Sequence, residues 1–376
     1  MTSNNSMLIY NITAKNVLNR ILFLLLLFLP FCNVYPQQEI NNYITDFLKD
    51  KVVVSFAVDS NTLWAYDGHL FYRFSDNKIK TYNFDSTSEG LIRNYEFTGD
   101  ITKETETYAK LEMYRGHLFV NLGNNLLDIF NEKISRINPV NLNHLTFYSF
   151  LNNGNSYDLF LIKSEFKFSI GNSHFISELL SYQNGIFSKY CIAADTNFNI
   201  IDLIKNDSTI YFLTIDTDYY YNLNIFNEKN KSFSKYKLDI DADYHNKKLF
   251  MDKDNLYITN VSGDFYIYNL IEKKLSKETF TLVFRSPGED FSFTVRNKVL
   301  YFSNHLQFLI YDLNKHSQIK NIFYDSKSGF MNEGMFYSNY FYYSISSEYI
   351  STMSMIPSIH IKGFRIINLD SIKISF

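Results

Sequence analysis

Asp239, Asp241 and Asp243 alternate along one short stretch, and carboxylates at that spacing are the oxygen donors a calcium ion takes. The neighbouring letters fit a calcium loop poorly. Tyr244 stands where an EF-hand loop turns on Gly, and Phe250 stands where its closing Glu would lie. A solvated turn between two strands accounts for the three aspartates better. Asp67, Asp158, Asp216, Asp218 and Asp264 form a second set of carboxylates, each near the end of a strand-like run. Two such groups facing each other across a cleft could run glycoside hydrolysis as acid and base, with their separation deciding the matter. Tyr219-Tyr220-Tyr221 and Tyr340-Phe341-Tyr342-Tyr343 offer aromatic faces that a sugar or peptide could use. The same runs read equally as strands packed on both sides, which is the plainer reading.

Other chemistry is excluded by its missing signatures. The chain has no Gly-x-Ser-x-Gly, His-Glu-x-x-His, phosphate loop or Cys-x-x-Cys. That removes the commonest hydrolase, zincin, nucleotide and dithiol readings. The eight histidines are scattered, with no close pair at ligand spacing. Beyond the calcium candidate no metal is expected, and no cofactor.

The elements that must position these residues are β-strands. Aromatic residues make up 18% of 376 residues while alanine occurs seven times, a balance that favours strands over helices. Charged residues are 20% and form no long block, so neither disorder nor a nucleic-acid stripe is indicated. The formal charge of −3 favours no particular partner.

Residues 255–280 are the clearest unit: Leu256 to Thr259 and Phe265 to Leu270 flank the turn Ser262-Gly263-Asp264, and Glu272-Lys273-Lys274 leads into a half-polar edge strand. The two inner runs carry large apolar groups on both faces, as strands do when their sheet is sandwiched between neighbours. Residues 51–84 give four such runs, and further units follow from about 108 and 145. Ile225-Phe226-Asn227, Ile267-Tyr268-Asn269 and Ile310-Tyr311-Asp312 then recur roughly 42 to 44 residues apart, near the period of a propeller blade. About seven units result, so the expected fold is an all-β propeller of seven four-stranded blades. Its ring must close by packing or pairing the last blade with something near residues 37–58. Residues 37–50 fit a short helix or an irregular strand, and residues 371–376 a final strand.

Lys15 and Arg20 precede the apolar run 21–31, which fits a secretory signal and is short for a membrane span. The expected organisation is therefore a signal peptide over 1–36 and one propeller domain over 37–376. Leu29-Pro30-Phe31-Cys32 resembles a bacterial lipoprotein signal, with Phe31 where that family has a small residue. Cys191 would then be the one remaining thiol, read as a small buried apolar residue.

Residues 59–70, Asp-Ser-Asn-Thr-Leu-Trp-Ala-Tyr-Asp-Gly-His-Leu, resemble the repeat of two-component-regulator-type bacterial propellers, although Ala65-Tyr66 replaces that family's Gly-Thr. Residues 255–280 look more like the quinoprotein-like propeller repeat. The tryptophan docking positions of the quinone enzymes are missing, since Trp64 is the chain's single tryptophan, and cofactor binding is not carried over. The resemblance implies a bacterial propeller located in the periplasm, at the cell surface or outside the cell.

The function expected is non-catalytic binding of a protein, peptide or glycan through one face of the ring, by a monomer without a membrane span or a nucleic-acid partner. The alternatives are a carbohydrate-active enzyme using mouth carboxylates and an envelope scaffold lipoprotein anchored at Cys32.

Overall fold

The computed structural model describes residues 34–372 apart from 60–61, 69, 77, 83–109, 122–125, 132, 138–145, 152–158, 168–173, 184–185, 191–198, 217–219, 239–246, 284–290, 325–329 and 347–361. Asp239, Asp241 and Asp243 lie outside the described residues. So do Asp158, Asp218, Tyr219, Cys32, Cys191 and the leader as far as residue 33. The chain divides into two compact units, 1–49 and 50–376.

In the first unit the helix Val34–Leu48 settles the choice between helix and irregular strand. Pro36 sits in its first turn, where its missing N–H costs nothing, and Ile44 and Leu48, four residues apart, are both buried.

The second unit is a seven-bladed β-propeller. Its blades are antiparallel sheets over residues 55–82, 110–136, 146–189, 199–237, 247–279, 291–323 and 330–368, here blades 1 to 7. Each sheet takes its strands in sequence order, as hairpins dictate. Blades 1 to 6 have four strands, and blade 7 has three among the described residues. The first strands of blades 1 and 2 touch, as do those of blades 4 and 5, 5 and 6, 6 and 7, and 7 and 1, which places them around the axis.

Burial follows the radial order. In blade 5 the second strand, Asn255–Asn260, is buried at every residue, and the outermost, Lys274–Thr279, is mostly exposed. The hydrophobic core consequently lies between blades. Tyr257, Phe265 and Phe280 of blade 5 meet Phe293, Phe302 and Tyr311 of blade 6. Comparable clusters fill the junctions between blades 1 and 2, 3 and 4, 4 and 5, and 6 and 7. Each fully buried phenylalanine contributes on the order of 1.5–3 kcal/mol, so seams of this kind hold a chain that has two cysteines in all.

The recurring triplets have a defined task. Asn227 Oδ1 accepts the amides of Lys229 and Asn230, Asn269 Oδ1 those of Ile271 and Glu272, and Asp312 Oδ1 those of Asn314 and Lys315. Each caps the turn into its blade's outermost strand. Asn368 does the same in blade 7 with the Asp370 amide. There the chain enters a 3-10 turn, Leu369–Ser371, so Ser371 closes a turn where a final strand was expected to begin.

Ring closure is by packing. Phe56 of the first strand meets Phe364 of blade 7 edge-on at 4.9 Å, and the Tyr337 hydroxyl lies 3.4 Å from Asp59 Oδ1.

Candidate functional site

The chain enters each innermost strand on one face of the ring, called here the entry face. Strands alternate in direction, so the turns between second and third strands lie on that face too. Along the innermost strands stand the polar residues Ser55 and Lys110, each opening its strand, Lys248 and Ser292, each second in its strand, and Asp202 and Glu333, midway along theirs.

Each of these side chains reaches across a junction. Ser55 Oγ accepts the Leu111 amide at 3.2 Å, linking blades 1 and 2. Asp202 Oδ2 accepts the Leu249 amide at 2.7 Å between blades 4 and 5. Lys248 Nζ donates to the Phe291 carbonyl and Ser292 Oγ to the Gly334 carbonyl, joining blades 5, 6 and 7. Glu333 Oε2 accepts the Phe56 amide at 3.2 Å, and its other oxygen lies 3.4 Å from Lys110 Nζ. A single carboxylate from blade 7 therefore holds blades 1 and 2.

The remaining junctions use residues farther out. Ser177 Oγ, on the third strand of blade 3, accepts the Ile200 amide of blade 4 at 3.3 Å. The Tyr182 hydroxyl of blade 3 donates to Asp128 Oδ2 of blade 2 at 3.2 Å. Asp128 also lies 2.8 Å from His117 Nδ1, and the His117 ring stacks on Phe130 at 4.0 Å. Burial, with the Asp128 charge beside it, pushes the Tyr182 hydroxyl up to about 12. All seven junctions are thus crossed by a side-chain hydrogen bond.

Asp202 is a buried carboxylate. Burial pushes it up to about 6, against the opposing pull of the Leu249 and Leu203 amides and the nearby Lys248 ammonium.

The carboxylates expected at the mouth divide by what surrounds them. Asp67, Asp216 and Asp264 do lie on the entry face, on blades 1, 4 and 5. Asp67 accepts from the Leu70 amide and the Tyr72 hydroxyl, and Asp216 from the Tyr220 amide and the Asn222 carboxamide. Asp264 pairs with Lys277 at 3.1 Å. Asp67 and Asp216 are thus engaged in shaping their own turns, and Asp264 is tied to the outermost strand of its blade. Of the aromatic runs, Phe341, Tyr342 and Tyr221 are core residues, whereas Tyr220 is exposed with Lys237 Nζ 3.2 Å above its ring. Among the described residues no three His, Cys, Asp or Glu side chains gather as a metal cluster. No helix of the described residues is long and apolar enough to cross a membrane.

Sequence reasoning missed the junction ring and the His117-Asp128-Tyr182 group. The ring has no shared letter to find, because Ser, Asp, Lys and Glu all serve. The other group joins residues 11 and 54 positions apart, which leaves no local pattern.

The class defined by this geometry is the seven-bladed β-propeller. No protein-family model matches the chain, and no curated protein matches it in sequence. Among solved structures it is similar to PorZ, a bacterial surface component of the type-IX secretion system of Porphyromonas gingivalis, with TM-score 0.50 and 10% identity over 86% of this chain and 37% of that one. It is similar also to the extracellular domain of BT4673 from B. thetaiotaomicron, with TM-score 0.50 and 12% identity over 87% and 42%. BamB from Moraxella catarrhalis follows at TM-score 0.44 and 8% identity, over 84% of each chain. The chain spans about two fifths of the length of the first two structures. At such identities the likeness is one of fold.

Proposed function

We propose that this chain is an exported, non-catalytic propeller that holds a protein, peptide or glycan against the entry face of its ring. The observation that carries the reading is how that face is built. Asp67, Asp216 and Asp264, the described carboxylates of the mouth set, are each already bonded, Asp67 and Asp216 within their own turns and Asp264 to Lys277 of the adjacent strand. Fixed turns on a rigid ring suit recognition, because little ordering remains to be done when a ligand docks. Tyr220 is exposed on the same face beside Lys237, a pairing that can stack on a sugar or a peptide group.

Export is proposed from the leader, with residues 1–36 removed and 37–376 forming the mature domain. It fits that the two structures at TM-score 0.50 are a surface component and an extracellular domain. Incubation of the purified mature protein with glycan and peptide panels, followed by product analysis, tests the reading. Retention of a ligand without turnover is expected, weakened by Tyr220→Ala. Released sugar or cleaved peptide overturns it. Mass spectrometry of the mature N-terminus checks the leader, and a chain that keeps residues 1–36 would count against export.

A further inference from the structure

The outermost strands of blades 1 to 6 carry nine lysines, one arginine and a single glutamate, in a chain whose formal charge is −3. The rim is therefore basic on a molecule that is otherwise acidic. Lysines on edge strands have an ordinary purpose, which is to discourage pairing with other chains. That purpose explains residues on the strands themselves. It does not explain the turns that lead into them.

On blades 4 and 5 the basic character continues through those turns. Lys229 and Lys231 precede the outermost strand of blade 4, and Lys273 precedes that of blade 5, which begins at Lys274; all four are exposed. Two large apolar side chains stand beside them. Ile271 is 77% exposed, the most of any large apolar residue described, and Phe233 is 38% exposed. Asn269 caps the turn that presents Ile271, so the exposure is built into the backbone. The acids on the same turns are Glu228, held by Lys205 and the Tyr190 hydroxyl, and Glu272. Tyr236 on the outermost strand of blade 4 meets Tyr268 on the third strand of blade 5 at 5.7 Å, so the two blades pack directly together beneath this part of the rim.

We propose that this part of blades 4 and 5 docks the propeller on an anionic phospholipid surface, with Ile271 and Phe233 entering the headgroup layer and Lys229, Lys231, Lys273 and Lys274 meeting its charge. Apolar tips beside flexible lysines suit an interface with one wet and one oily side. Lysine also suits a diffuse field of headgroups, whereas arginine is favoured where single phosphates are gripped by two hydrogen bonds.

Co-sedimentation of the full-length mature protein with vesicles tests this, using phosphatidylcholine alone and a mixture with phosphatidylglycerol, at low and high salt. Binding to the mixed vesicles at low salt is expected, with at least tenfold weaker binding to phosphatidylcholine or at high salt. Combining Lys229→Glu, Lys231→Glu, Lys273→Glu and Lys274→Glu should abolish binding, and Ile271→Ser should weaken it severalfold. A control that reverses Lys78, Lys80, Lys189 and Lys320 makes the same change in net charge elsewhere on the rim and should retain binding. Circular dichroism and the melting temperature confirm that each variant is folded. Failure of the wild type to bind mixed vesicles overturns the proposal. So does equal loss in both charge-reversed proteins, or binding to a soluble polyanion such as heparin without vesicle binding.

Discussion

Asp202 of blade 4 accepts the amide of Leu249 in blade 5 at 2.7 Å, and its second oxygen accepts the amide of Leu203 at 2.8 Å. Both bonds are buried, so one side chain fixes the spacing of two innermost strands and is sensitive to its own ionisation.

The pH dependence of stability should show this group. Its folded value of about 6 lies above the roughly 3.9 of an unfolded aspartate, so the native state binds the proton more tightly. Its contribution is complete below about pH 4 and is lost as pH rises through 6, amounting to roughly 3 kcal/mol across that window. Asp202→Asn cannot titrate and also replaces one acceptor oxygen with a donor, at a cost of about 1–3 kcal/mol. In urea titrations the stability advantage of wild type over Asp202→Asn should widen from pH 7.5 to pH 4.5. A constant or narrowing gap would remove Asp202 as the source.

Glu333→Ala should weaken the seam between the first and last blades. It deprives the Phe56 amide of its acceptor and Lys110 of its counter-charge, and a loss of about 1–3 kcal/mol is expected. Lys189→Ala removes the exposed pair with Glu178 and serves as the comparison, with about 0–1 kcal/mol expected. Equal melting temperatures for the two variants would contradict the role given to Glu333.

Gly263→Ala should be among the most damaging single-methyl additions. Gly263 has φ +98°, and a Cβ there would lie 2.1 Å from the Phe280 carbonyl oxygen. The turn must open or the following strand must shift, at about 2 kcal/mol or more. Gly68→Ala, at φ +96° with its nearest contact at 3.8 Å, isolates the backbone component and should cost less. Thermal melts of the pair decide it.

Asn269→Ala should cost about 1 kcal/mol, because the Ile271 and Glu272 amides lose their shared acceptor. Asn269→Asp should recover most of that, as Asp312 performs the same task one blade later. If both variants lose equally, the cap is not the reason for the repeat.

The blades were legible because their signals are local. Ser262-Gly263-Asp264 announces a turn, and the doubly apolar run 256–259 announces a strand with neighbours on both faces. The triplets ending in Asn227, Asn269 and Asp312 were legible as a period, while their hydrogen bonds appear only once the turn is folded. The junction ring was not legible for a different reason. Ser55, Ser177 and Ser292 are ordinary letters, and their partners lie from 23 to 56 residues away. Tyr220 and Tyr221 show the same limit at the entry face, since Tyr220, just before the strand, faces solvent and Tyr221, its first residue, faces the core.

The seam held by Glu333 and Phe56 spans 277 positions, whereas every other junction joins consecutive blades. Six interfaces can assemble in order as the chain emerges, each new blade settling on a finished one. The last cannot form until synthesis has reached Glu333, and until then blade 1 keeps one flank waiting. Loop closure over that length makes it the slow, late event of folding. A polypeptide threaded across a membrane from its N-terminus would therefore arrive as an open arc, and become a ring only on the far side.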